Sequence, residues 1–160
     1  GVYFADAGHH FGHRQFVGHT APKPRGNVEY KGALQGQDAH TVWVGNVLIR
    51  KVAEGIDTFE QTDNLVLTDG ARADSVPNLE IETGEIAGAG HASTTGRFDD
   101  MHLFYLQSRG IDPTEARRLV VHGFFNDIIR RIGVEDVQDR LLSAIESELA
   151  TVVGTPEALQ

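Results

Sequence analysis

From Val2 to about Arg97 the apolar residues come in short runs separated by glycine and turn-forming residues. Runs that predict strands are Val2–Ala5, Gln15–Val17, Val28–Leu34, His40–Arg50, Thr58–Glu60, Asn64–Leu67, Asn78–Glu82 and Gly84–Ser93. Val42-Trp43-Val44 and Val47-Leu48-Ile49 are β-branched or aromatic, which suits a pleated, half-buried surface. Gly32, Gly36, Gly45-Asn46, Asp69-Gly70, Pro77-Asn78 and Gly84 punctuate them as turns. Short strands at such spacing admit a sandwich, a barrel or a β-solenoid. Tight turns without strict hairpin dipeptides suit the rungs of a parallel solenoid, although no exact repeat is visible.

After Arg97 the apolar period changes to that of a helix. Asp99 is placed to cap a helix through Met101, Phe104, Tyr105 and Ser108, with Gly110 as its stop. Asp112-Pro113-Thr114-Glu115 supplies an N-cap, a proline in the first turn and an acid at the third position. The helix that follows carries Val120, Phe124, Ile128 and Ile132 in one column and Val121, Phe125 and Ile129 in the next. That stripe is wide enough to pack on more than one neighbour, and Gly133 is expected to end it. Gly123 inside it costs about 1 kcal/mol relative to alanine, which suggests a close backbone contact there. A third helix carries Val137, Leu141, Ile145 and Leu149, and residues 155–160 form a fraying tail. Strands first and helices after predict an α+β arrangement, divided as 1–97, 98–154 and 155–160.

Composition narrows the function more than the fold. With 14 basic and 23 acidic residues the net charge is −9, which argues against a nucleic-acid binder. These 160 residues contain no cysteine, which removes disulfides, thiolate zinc sites and cysteine nucleophiles from consideration within them. No apolar run of about 18 residues predicts a membrane span. No charged leader with an apolar core is visible at the start, so a cytoplasmic location is expected. The chain opens on Gly1-Val2-Tyr3-Phe4 with no polar lead-in, and a piece of a longer protein is expected.

Four histidines, His9, His10, His13 and His19, crowd the first twenty residues. They raise the possibility of a metal-dependent β-solenoid enzyme. His9 and His13 have helical metal spacing, but Gly8, Gly12 and Gly18 oppose a helix, and no HExxH or carboxylate set accompanies them. A solvated strand face is the simpler expectation for all four. His102 and His122 fall on helices at surface positions. Glu80, Glu82 and Glu85 alternate with Leu79 and Ile81 as an ordinary solvated face. No nucleophile elbow, phosphate loop or dinucleotide fingerprint occurs. His91 stands apart: in Gly88-Ala89-Gly90-His91-Ala92-Ser93-Thr94-Thr95-Gly96 it is the only titratable group, and its small neighbours would let a partner approach closely.

Several segments keep a common order and spacing over about fifty residues. They are Asn64-Leu65-Val66-Leu67-Thr68-Asp69, Ala71-Arg72-Ala73-Asp74-Ser75, Pro77-Asn78-Leu79-Glu80-Ile81, Gly90-His91-Ala92-Ser93-Thr94 and Leu103-Phe104-Tyr105-Leu106-Gln107-Ser108-Arg109-Gly110-Ile111. This composite resembles the SufB/SufD family of iron–sulfur cluster assembly scaffold proteins, and weaker agreement extends from Asn27 to Leu149. Without cysteine, and with its histidine among glycines and alanines, the chain is most like the SufD branch, in its C-terminal portion. Gly90 stands where some SufD chains have Cys-Ser, and Gln61-Thr62-Asp63 replaces an asparagine-rich form.

The resemblance implies a parallel right-handed β-helix followed by a C-terminal helical domain. It implies a non-catalytic scaffold that pairs with a SufB-like subunit and a SufC-like ATPase. His91 matches the motif histidine and would be a cluster-assembly residue and possible iron ligand, serving a transient iron–sulfur cluster shared with the partner rather than bound stably by this chain alone. Imidazole replaces thiolate at only some positions of such clusters, so a partner would supply sulfur. For the ATPase the resemblance points to Phe104, Tyr105, Arg109, Gly110 and Phe124. A purely structural paralogue is the plainer alternative. The exposed solenoid end is expected to let this piece self-associate as a homodimer.

Overall fold

The computed structural model describes residues 1–152, with side chains described through Ala150. The tail 155–160 lies outside the described residues. Seven strands come first: β1 (Val2–Ala5), β2 (His10–His19), β3 (Arg25–Leu34), β4 (His40–Ile49), β5 (Ile56–Val66), β6 (Arg72–Ile81) and β7 (Ile86–Arg97). Three helices follow: α1 (Asp100–Ser108), α2 (Pro113–Ile129) and α3 (Glu135–Val152). Odd strands form one sheet in the order β1-β3-β5-β7, and even strands form a second in the order β2-β4-β6. Every pairing is parallel. The architecture is therefore a parallel β-solenoid of about three turns, each turn giving one strand to each sheet.

The repeat hidden in the sequence is the turn itself. Val2 pairs with Lys31, His10 with His40 and Arg25 with Asp57, so a turn takes 29 to 32 residues. Because paired parallel residues point the same way, side chains about thirty positions apart stack in columns. In β4 the inward positions Thr41, Trp43, Val47 and Ile49 alternate with less buried ones. In β5 the inward positions are Ile56, Thr58, Glu60, Thr62, Asn64 and Val66.

Those inward polar residues explain the differences from the sequence-based strand boundaries. Thr58–Glu60 and Asn64–Leu67 are parts of one strand, β5, because Gln61, Thr62 and Asp63 continue the pleat rather than breaking it. The run Gln15–Val17 is the centre of the ten-residue β2, and the strand predicted at Asn78–Glu82 begins earlier, at Arg72. Inward polarity flattened the hydrophobic alternation on which those boundaries rested.

Two apolar clusters anchor the molecule. Inside the solenoid, Val47, Ile49, Ala53 and Ile56 pack with Val17, Leu79 and Ala89. Where the helices meet the solenoid, Ala33 and Leu67 pack with Val121, Phe125, Ile128, Ile129 and Leu149. Polar clamps hold α2 on the same face: Lys31 Nζ lies 2.7 Å from Asp127 Oδ2, and Arg131 reaches Glu29 at 2.6 Å and Asp127 at 2.8 Å. α2 ends at Ile129, before the expected Ile132 and Gly133. Arg131 N–H donates to Ile128 O and Ile132 N–H to Ile129 O in tighter turns, while the Arg131 side chain is drawn to β3.

Asp99 and Asp112 cap their helices as expected, accepting from Met101 N–H at 2.8 Å and Thr114 N–H at 2.9 Å. Gly123 departs from expectation. A Cβ built on it would meet nothing within 4 Å, so no close backbone approach requires the glycine. Gly123→Ala is therefore expected to stabilise the protein by about 0.5–1 kcal/mol through helix propensity, read as a higher urea midpoint at unchanged slope.

Candidate functional site

The odd sheet ends at β7 and the even sheet at β6, so among the described residues no further turn covers this end of the solenoid. Parallel strands end here with unpaired backbone groups, an edge suited to pairing with another chain. The sequence places small residues along β7 (Ala87, Gly88, Ala89, Gly90, Ala92, Ser93), and one imidazole rises from the middle of it.

His91 pairs in register with Glu60 of β5, and Glu60 in turn with Val28 of β3. Glu60 is an inward position, only 1% exposed. His91 therefore belongs to the inward column and is exposed because the solenoid stops above it. His91 is thus an end-of-column histidine rather than one on the outer face of the solenoid. Ala89, two residues earlier on the same parity, packs into the interior cluster and confirms the direction.

Below His91 the interior is polar. Gln15 Nε2 donates to Glu60 Oε1 at 2.8 Å. Glu60 Oε2 is buried and has no hydrogen-bond partner. Burial pushes the Glu60 carboxyl above its ordinary range, while the Gln15 amide and the nearby His91 act in the opposite direction. Tyr3 Oη donates to Asn64 Oδ1 at 2.5 Å, and Asn64 Nδ2 donates to Ser75 Oγ at 3.2 Å. The Tyr3 ring stacks on His13 with centroids 4.5 Å apart.

Two glycines answer to neighbours rather than to a partner. A Cβ on Gly45 would overlap Glu60 Oε1 and the Trp43 ring, so the missing side chain makes room for the buried carboxylate. A Cβ on Gly90 would stand 3.1 Å from the Phe59 ring on the outer face. Sequence reasoning gave Glu60 and Gln15 no functional role and read Gly45 as a turn. The available signal was parity: Thr58, Glu60, Thr62 and Asn64 share it with Ile56 and Val66, and Glu60 precedes His91 by one solenoid turn.

The N-terminal histidines do not form the expected solvated face. His13 and His19 point inward: burial lowers the His13 pKa, and His19 Nε2 lies 3.3 Å from Thr58 Oγ1. His10 points outward and meets the His40 ring edge-on at 4.7 Å. His9 Nδ1 accepts from Asp6 N–H at 3.2 Å. The reason is alternation along β2, which sends successive residues to opposite faces. Among the described residues no group of three or more His, Cys, Asp or Glu could hold a metal ion. Glu80 and Glu82 are exposed, and Glu82 pairs with Arg50 at 2.8 Å. His102 is exposed and His122 half-buried, 3.8 Å from Glu146.

The second set of candidate residues divides between helices. Phe104 and Tyr105 of α1 are 73% and 54% exposed, and the Arg109 guanidinium lies 4.5 Å from the centre of the Tyr105 ring. Gly110 follows in the left-handed conformation, φ +84°. No residue of α1 is buried. Phe124 instead packs against the core beneath the helices, with Lys31 Nζ 4.9 Å from its ring centre.

Residues 1–124 match the family model described as SUF system FeS cluster assembly, SufBD core domain. The chain belongs to the SufB/SufD family. An iron–sulfur cluster assembly SufBD family protein of Mycobacterium tuberculosis is 64% identical over 161 residues, covering 97% of this chain and 41% of that protein. Its counterpart in Mycobacterium leprae is 63% identical over 93% of the chain and 40% of its own length. The iron–sulfur cluster assembly protein SufD of Bacillus subtilis is 34% identical over 74% of the chain and 27% of its own length. The chain thus spans about two fifths of the mycobacterial relatives. Among the described residues no helix is long and apolar enough to cross a membrane.

Within this SufB/SufD solenoid, Gly45→Ala is expected to cost about 1–3 kcal/mol, because the new methyl displaces either the carboxylate or the indole. Chemical denaturation would show it, and a midpoint equal to wild type would mean that Glu60 does not occupy that space.

Proposed function

We propose that this SufD-like chain is a non-catalytic scaffold subunit of an iron–sulfur cluster assembly complex, lending one imidazole, His91, to a cluster built against a SufB-like subunit. One observation carries the reading: the motif histidine stands at the uncovered end of the inward column, on a strand whose edge is open. There a second solenoid end could cover it, and the nascent cluster, as cargo, would lie between the two.

The chemistry supports a division of labour. Clusters are held mainly by thiolates, with histidine replacing some of them, and these 160 residues have no cysteine. A neutral imidazole is a competent iron ligand and a protonated one is not. The partner then supplies thiolate, and the cluster belongs stably to neither subunit alone.

The deciding test is cluster assembly in cells by the full-length protein with its SufB-like and SufC-like partners, comparing wild type with His91→Ala. The expected result is a complex that forms normally and yields at least about tenfold less cluster. Normal cluster yield would leave the purely structural paralogue as the correct reading.

The exposed Phe104 and Tyr105 of α1, with Arg109 at its C-cap, form the surface proposed for a SufC-like ATPase. Since Phe104 contributes little to the core, Phe104→Glu should leave the unfolding midpoint within about 0.5 kcal/mol of wild type while reducing recovery of the ATPase in co-purification. Undiminished recovery would move the contact elsewhere.

A further inference from the structure

We propose that Glu60 is a positioning residue for His91: its free carboxylate oxygen accepts a hydrogen bond from His91 Nδ1–H and so leaves the lone pair of Nε2 facing the open end of the solenoid. The inference deepens the reading of His91 given above and rests on it only for the purpose the pair serves.

Four observations converge. Glu60 and His91 are register partners in adjacent parallel strands, where neighbouring backbones run about 4.8 Å apart and paired side chains point the same way. Glu60 is 1% exposed, yet only one of its oxygens is engaged, by Gln15 Nε2 at 2.8 Å. Its other oxygen, Oε2, is buried without a partner. Gly45 leaves open the space the carboxylate fills. A buried carboxylate with an unpaired oxygen is costly unless something satisfies it. Leucine at this position would pack the same column without that cost. The one titratable side chain above it in the column is His91.

The direction of the bond follows from the shape of the ring. In the covalent structure of the side chain Nδ1 is nearer the backbone and Nε2 nearer the tip, so of the two nitrogens Nδ1 is the one suited to the neighbouring layer and Nε2 the one left for a ligand. Histidines that ligate a metal through one nitrogen commonly donate the other N–H to a carboxylate, which fixes the tautomer and ring orientation. Glu60 is the one carboxylate in this column placed for that task. Gln15 and Gly45 hold Glu60 in turn, so with His91 the arrangement spans four strands.

The test reads the tautomer directly. Nitrogen NMR of the full-length protein, carrying isotope-labelled histidine and assigned by comparison with His91→Ala, distinguishes Nδ1–H from Nε2–H imidazole. Free neutral imidazole favours Nε2–H. The wild-type protein is expected to hold His91 as Nδ1–H, Glu60→Leu to return it to Nε2–H, and Glu60→Gln, whose amide oxygen also accepts, to retain Nδ1–H. If Glu60→Leu folds poorly with Gln15 unpaired, Gln15→Leu/Glu60→Leu removes both polar groups and must give the same result. A wild-type His91 in the Nε2–H form, or a tautomer indifferent to Glu60→Leu, overturns the proposal. Cluster yield in cells forms a second arm: Glu60→Leu should lower it about tenfold and Glu60→Gln much less. A tautomer that shifts while cluster yield stays normal would uphold the pairing and overturn the role given to His91.

Discussion

Everything in this molecule depends on the parallel register of successive turns. Once Val2 lies beside Lys31 and Arg25 beside Asp57, every inward residue is aligned with another about thirty positions away. A side chain's neighbours are then set by turn length rather than by local sequence. That constraint places His91 over Glu60, sends Ala89 into the apolar interior and brings Gly45 against the carboxylate. It also leaves the last turn without a partner, since parallel stacking has no means of closing itself.

The interior is economical in apolar residues and costly in polar ones. Val47, Ile49, Ala53 and Ile56 fill one part of the solenoid, whereas Thr58, Glu60, Thr62 and Asn64 occupy inward positions of the strand beside them. Some of these polar groups are satisfied, as Tyr3, Asn64 and Ser75 are by their shared chain of hydrogen bonds. Trp43 Nε1, His13 Nδ1 and Glu60 Oε2 are buried without partners. Local rules of stability are broken most often at functional sites, and the Glu60 layer breaks them directly beneath His91.

The sequence made the two halves of the molecule legible to different degrees. Helices announced themselves through Asp99, Asp112-Pro113 and the four-residue spacing of Val137, Leu141, Ile145 and Leu149, because caps and period are local signals. The strands were found, but their extents were not, since inward polar residues erased the alternation in β2 and β5. His91 could be singled out by its isolation among small residues. Its column could not, because the thirty-residue separation from Glu60 acquires meaning only once turn length is known. The roles of glycine were misjudged for the same reason. Gly123, which looked like a contact, touches nothing, while Gly45, which looked like a turn, lies within β4 and accommodates a carboxylate from another strand.

The clamp between solenoid and helices completes the logic of the architecture. Lys31 is buried in β3 and would be an expensive cation without Asp127, whose carboxyl is held below its usual range first by hydrogen bonding to Lys31 and then to Arg131. Arg131 adds Glu29 from the same strand, so α2 is tied at its C-terminal end to two alternate positions of β3. Each pair to β3 keeps one partner in solvent, Asp127 or Arg131, so its energy taken alone is modest. Their value here is directional, because an apolar contact such as Phe125 against Ala33 tolerates sliding, whereas two ion pairs to Glu29 and Lys31 specify one register of helix on strand. From β3 the parallel ladder runs on to β5 and β7. A single parallel sheet thus joins the helical surface to the strand that carries His91.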